Sequence, residues 1–150
     1  MLGRLQTSFV ESMKHSEIFE ALKPLAIDIA DCPWRHVAAV VYKNKVVSYG
    51  MSKKKSHPFQ QKYSKNEEAI YWHAETNAIF NALKTLSKED LRKAKLYVCR
   101  VKQNEDGETI YGMSKPCSGC SECIEDYEIP ITVYTLDEME GYHHYATIEK

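Results

Sequence analysis

The chain has 150 residues, with 20 Lys and Arg against 21 Asp and Glu, six His and five Cys. A hydrophobic share of 43% with 27% charged residues excludes a disordered chain, and a formal charge of -1 excludes a strongly basic nucleic-acid coat. No apolar run approaches the ~20 residues that cross a bilayer, and the start MLGRLQTSFVESMK has no secretory apolar stretch. The odd cysteine count does not suit a disulfide framework. The expectation is a cytoplasmic, reducing setting with thiols free or metal-bound. The length suits one domain over residues 1–150, with 1–15 as an arm and 136–150 as a tail.

The first expected element is a helix over 16–31. Ser16 is placed to cap it, and Ile18, Phe19, Leu22, Leu25, Ile27 and Ile29 supply the apolar positions. Pro24 is expected to split this stretch, and Cys32-Pro33 to stop it. His36–Tyr42 and Lys45–Tyr49 read as a hairpin turning at Lys43-Asn44, and the near-continuous apolar run Val37–Val41 reads as an inner strand. Residues 51–67 are polar and basic and read as a long loop. Helical spacing returns at Ile70, Ala74, Ala78, Ala82 and Leu83. Lys95–Val101 follows as a strand, Asn104–Gly107 as a turn and Thr109–Tyr111 as a short returning arm. A helix over Ser118–Tyr127 and a strand over Ile129–Tyr134 complete the pattern. The order predicts an α/β fold: a three-layer α-β-α sandwich around a mixed sheet of about five strands.

Two short segments carry the chemistry: His73-Ala74-Glu75 and Pro116-Cys117-Ser118-Gly119-Cys120, each at an expected helix start. One His and two Cys form a borderline-soft set suited to Zn²⁺, and three protein ligands leave a fourth tetrahedral position open. Cys117 and Cys120 are three apart, so both sulfurs face one way on a first helical turn. The positive end of the helix favours thiolate. Glu75, two residues from His73, cannot share its direction on a regular helix. It suits a carboxylate beside the metal that takes a proton from water and returns it to a leaving group.

Together these residues resemble the signature of the zinc-dependent cytidine and deoxycytidylate deaminase superfamily, whose H-x-E…P-C-x-x-C pattern is a known one. The stretch His73-Ala-Glu-Thr-Asn-Ala-Ile79 is similar to the deoxycytidylate branch. The resemblance implies a cytidine deaminase-like fold with His73, Cys117 and Cys120 on Zn²⁺ and Glu75 as the proton shuttle. The implied reaction is hydrolytic deamination of a cytosine nucleotide or nucleoside, dCMP to dUMP first among them. It also implies a small-molecule nucleotide partner and a homo-oligomer. The family's Gly-Tyr-Asn context is replaced by Gly50-Met51-Ser52, and the stretch from Cys99 to Ser114 is longer than usual.

The expected substrate contacts are Ser52, Lys54, His57, Ala74 and Ser114. Lys53 and Lys55 share the basic stretch that could neutralise a phosphate, though such a run is more often a solvated loop. Trp34, Phe59, Tyr71 and Trp72 are candidates to stack on a base or to pack in the core. Cys123 reads as a packed thiol, and Tyr142–Tyr145 as an exposed or oligomer-contact tail. Three other readings stay open here: a deaminase acting on a base in single-stranded DNA, RNA or tRNA, one acting on a purine, and a zinc-stabilised binding module without turnover.

Overall fold

The computed structural model describes residues 2–29, 35–64, 71–142 and 144–150, with side chains described from Lys14 onward. Helix α1 spans Leu2–Ile27, so the expected N-terminal arm is helical and Pro24 lies inside the helix rather than dividing it. The proline sits in the last turn, where few helical hydrogen bonds remain to be lost. The Asp28 N–H still reaches the Pro24 carbonyl at 3.1 Å. Cys32, Pro33 and Trp34, and with them the expected stop, lie outside the described residues.

Strands β1 (Arg35–Tyr42) and β2 (Lys45–Met51) form the expected hairpin. Lys43 and Asn44 take φ of 52° and 63°, the left-handed pair that a two-residue hairpin turn requires. The expected 51–67 loop instead contains β3 (Lys53–Ser56) and α2 (Pro58–Gln61). Pro58 sits at the start of α2, and the His57 ring Nδ1 accepts the Phe59 N–H at 3.1 Å as its cap. β3 pairs with β4 (Tyr71–Trp72), which leads directly into α3 (Ala74–Ala82). The helix expected from about Ile70 therefore starts later, because 71–72 are extended and His73 is its N-cap.

After α3 come α4 (Lys88–Leu91), β5 (Lys95–Gln103), β6 (Thr109–Gly112), α5 (Ser118–Asp126), β7 (Ile131–Thr135) and β8 (Tyr145–Glu149). The extra length between Cys99 and Ser114 is thus the β5–β6 hairpin. β8 pairs antiparallel with β7, so the expected C-terminal tail supplies a sheet edge. Tyr145 lies in β8 and packs on Phe19 of α1, with ring centroids 5.8 Å apart; Tyr142 stays 71% exposed.

The six strands run β2-β1-β5-β7-β8, with β6 on β5. Only the β5–β7 pair is parallel among the described strands, which makes the sheet mixed as expected. β1 lies between β2 and β5, and its apolar run serves both faces. Val37, Ala39 and Val41 pack with Phe19 and Leu22 of α1. Ala38 and Val40 pack with Ala74, Ala78 and Ile79 of α3 and Ile124 of α5. Alternate side chains of one strand thus hold helices on opposite sides, which is the three-layer arrangement. Among the described residues no helix is long and apolar enough to cross a membrane.

Candidate metal and catalytic site

The two motif segments meet where α3 and α5 begin. The His73 ring turns Nδ1 toward both sulfurs, 3.3 Å from Cys120 Sγ and 3.6 Å from Cys117 Sγ. All three ligand atoms lie within 4.8 Å of one another. Zinc takes N and S ligands at about 2.0–2.1 and 2.3 Å, so two such ligands on a tetrahedral ion stand about 3.6 Å apart. The trio fits that spacing.

The electrostatics agree. The Cys117 thiol is held down to about 3, first by the hydrogen bond from Cys120 and then by His73, against the opposing effect of burial. The same hydrogen bond and burial hold Cys120 well above its usual range, while the bond to Cys117 raises His73. These contacts favour the thiolate form on Cys117, which is also the exposed member of the trio.

Residues outside the motifs hold this geometry. His73 caps α3 by position but makes no side-chain cap bond, which leaves its ring for the sulfurs. The capping falls to Gln60 of α2, 1% exposed, whose Oε1 accepts the His73 N–H at 3.1 Å and the Thr76 hydroxyl. At the other helix, Gly119 lies so close to the Tyr63 carbonyl that a Cβ would stand 2.2 Å from its oxygen. Only glycine lets the first turn of α5 approach that backbone.

A cavity of about 330 Å³ opens beside the trio, lined in part by His36, Ser52, Tyr71, Glu75 and Lys115. Glu75 is 5% exposed, and burial pushes its carboxyl up, partly offset by His73. A buried carboxylate of raised pKa is a stronger proton acceptor than a solvated one. Ala74 also lines the wall. Ser52 is in place too, with its Oγ accepting the His36 N–H at 3.2 Å.

The remaining expected contacts lie elsewhere. His57 caps α2 and stacks on Trp72, centroids 4.0 Å apart, so its ring is used in packing. Lys54 is exposed on β3 between Lys53 and Lys55, and none of the three is among the described residues lining the cavity. Ser114 is 1% exposed and locked into the sheet: its hydroxyl donates to the Val98 carbonyl at 2.8 Å and accepts the Thr135 N–H at 2.8 Å. Ser114→Ala should lower stability by about 1–3 kcal/mol, since it leaves buried partners unpaired. Thermal melts beside a substrate titration check this; a raised KM with unchanged melting would return Ser114 to the substrate site.

Of the aromatic candidates, Tyr71 lines the cavity, whereas Phe59 is buried in the core and Trp72 packs on His57 and Phe80. Cys123 is buried, its thiol pushed up to about 12 by that burial, and stands apart from the ligand trio as expected. Two cavity residues were not foreseen. His36, the second residue of β1, lies opposite Arg100, and burial followed by the Arg100 charge lowers its pKa to about 4, so its ring is neutral at pH 7. Lys115 immediately precedes Pro116, a position that could have marked it.

Solved structures place this fold among nucleoside and nucleotide deaminases. The cytidine deaminase from Burkholderia pseudomallei aligns with TM-score 0.57 and 17% identity over 89% of this chain and 91% of that one. The apo dCMP deaminase from the cyanophage S-TIM5 aligns with TM-score 0.54 and 19% identity over 80% and 81%. The same enzyme in complex with dCMP and dUMP aligns with TM-score 0.55 and 16% identity over 82% and 81%. At these identities the likeness is one of fold. No curated protein sequence matches the chain.

Membership comes from the sequence. Residues 12–136 match the family described as the cytidine and deoxycytidylate deaminase zinc-binding region, and the chain belongs to that family. Its class is that of hydrolytic deaminases.

Proposed function

We propose that the protein deaminates a cytosine nucleotide or nucleoside, dCMP first among them, with His73, Cys117 and Cys120 holding zinc and Glu75 moving the proton. The carrying observation is the facing of His73 Nδ1 to both sulfurs with a buried carboxylate on the adjoining cavity wall. Zinc in such a site acts as a Lewis acid that makes hydroxide available near neutral pH.

Glu75 takes a proton from water as the new C–O bond forms at the amino-bearing ring carbon. It passes that proton to the adjacent ring nitrogen, then carries the second proton from the new hydroxyl to the amino nitrogen as the C–N bond breaks, so that a carbonyl, a ring N–H and ammonia result. Tyr71 brings an aromatic ring to the wall for the base, and Ser52 stands where the family's Gly-Tyr-Asn context has its Asn. Lys115 supports a phosphorylated substrate, as a cation on the cavity wall. The volume of about 330 Å³ falls in the range of small-ligand pockets and favours a mononucleotide over a strand. The reading includes homo-oligomeric assembly, as the family resemblance implies, and the cytoplasmic setting that the cysteine usage suggests.

The test is ammonia release by zinc-loaded protein over cytosine nucleosides, nucleotides, purines and short single strands. Release from dCMP, lost on chelation and regained with zinc, is the expected result. Release from oligonucleotides alone, or from no cytosine compound, overturns it.

A further inference from the structure

The His36 ring borders the catalytic cavity but stands outside the metal trio. His36 shares a strand face with Ala38 and Val40, which pack on α3. Its ring therefore points into the layer that carries His73 and Glu75. Neither ring nitrogen has a hydrogen-bond partner among the described residues, although the residue is half-buried. Polar groups at such depth are normally paired, and at a cavity wall the missing partner is a ligand or water.

The backbone around the ring is fixed from both sides. The Ser52 N–H donates to the His36 carbonyl at 3.0 Å, and the Ser52 hydroxyl accepts the His36 N–H at 3.2 Å. That hydroxyl is committed to backbone, so at this end of β1 the ring is the polar group that meets a ligand. On the other side His36 is in register with Arg100. The Arg100 N–H reaches Thr135 Oγ1 at 3.1 Å, and its Nη1 reaches the Met113 carbonyl at 3.3 Å. Burial, helped by the Arg100 charge, keeps the His36 ring uncharged at pH 7. An uncharged imidazole carries one N–H donor and one bare acceptor, which suits a hydroxyl better than a phosphate.

We propose that His36 is a specificity-determining residue whose ring hydrogen-bonds the 3′-hydroxyl of a cytosine deoxynucleotide. The inference rests on the reading of the cavity as a cytosine-nucleotide site and adds what that site selects. In cytosine the amino-bearing carbon and the nitrogen that carries the sugar lie across the ring from each other. With that carbon at the trio and Glu75, the sugar hangs on the far side of the base, clear of the ligands. His36 lies off the trio yet within reach of the His73 and Cys117 charges. A deoxynucleotide esterified at its 5′ position keeps one free sugar hydroxyl, the 3′ one. A hydroxyl donates and accepts, so it pairs with either imidazole tautomer.

The experiment compares dCMP with 2′,3′-dideoxy-CMP as substrates of the zinc-loaded protein. Calorimetry compares dUMP with 2′,3′-dideoxy-UMP as ligands that do not react. Bound metal and Tm are measured on every variant. The protein should favour the 3′-hydroxyl about fivefold or more in kcat/KM and in affinity, the size of one hydrogen bond to a neutral group. His36→Ala should remove that preference by weakening the hydroxylated compound, with the dideoxy compound kept within about twofold. His36→Gln, which keeps a donor and an acceptor, should retain part of it, and His36→Leu repeats the test if the alanine variant melts early. An equal loss on both compounds makes the ring a structural prop, and a preference unchanged in His36→Ala places the contact elsewhere. Either result overturns the proposal, as does a protein that binds neither dUMP nor its dideoxy counterpart. Turnover of dCMP without discrimination sinks the contact and keeps the reaction. Discrimination in dUMP binding without turnover of dCMP keeps the contact and sinks the reaction.

Discussion

Glu75→Gln is expected to leave zinc bound and to lower turnover on the order of 10²–10⁴-fold, the usual worth of general acid–base catalysis. The amide keeps the size of the side chain and loses only the capacity to take a proton. Glu75 is buried, so no solvent group stands ready to replace it at that wall. Metal content and turnover measured on the same preparation separate the possibilities. Metal retained with turnover lost makes Glu75 the proton carrier. Metal lost with turnover makes it a prop of the ligand trio, and turnover unchanged assigns the proton transfer to another group.

Gly50→Ala should produce the largest loss of stability. A Cβ there would stand 2.2 Å from the Ala78 nitrogen and 2.3 Å from the Ala74 carbonyl oxygen, both backbone atoms that cannot swing aside. The close approach is fixed on either side. The Ser48 hydroxyl donates to the Ala78 carbonyl at 2.8 Å, and the Asn77 Oδ1 accepts the Met51 N–H at 2.9 Å. Relief requires β2 to part from α3, the helix that carries Glu75. Overpacking of this kind costs about 3 kcal/mol or more, a fall of roughly 6–12 °C in Tm for a chain of this size. Gly107→Ala gives the comparison: its φ of +79° strains a side chain, but no atom lies within 4 Å of the new Cβ. That strain costs only about 1–2 kcal/mol. Melting curves that reverse the order of the two variants would refute the close-packing account.

What the sequence revealed follows the range over which each interaction acts. His73, Glu75, Cys117 and Cys120 were legible because their relations are local, set by offsets of two and three residues at helix starts. The inner strand was legible because Val37–Val41 is apolar on both faces. Gln60 was not, since its task depends on α2 docking against a helix that begins 14 residues later. His36 was read only as the start of a strand, because its place in the cavity depends on the β1–β5 register. Ser114 and His57 carried the right chemistry for substrate contacts, but nearer backbone groups claim their polar atoms. β8 escaped notice because Tyr145–Glu149 lies at an edge and buries none of its residues fully.

The Gln60 clamp has a consequence for how the protein holds its metal. Its hydrogen bonds to the His73 N–H and the Thr76 hydroxyl involve no ligand atom, so they anchor the His73 backbone at the start of α3 independently of the metal. Cys120 is held with its helix inside the core, and only Cys117 faces outward. Replacing Gln60 should therefore loosen the backbone on which His73 is mounted while leaving all three ligand side chains present, so the expected change is a weaker hold on zinc and not a missing ligand.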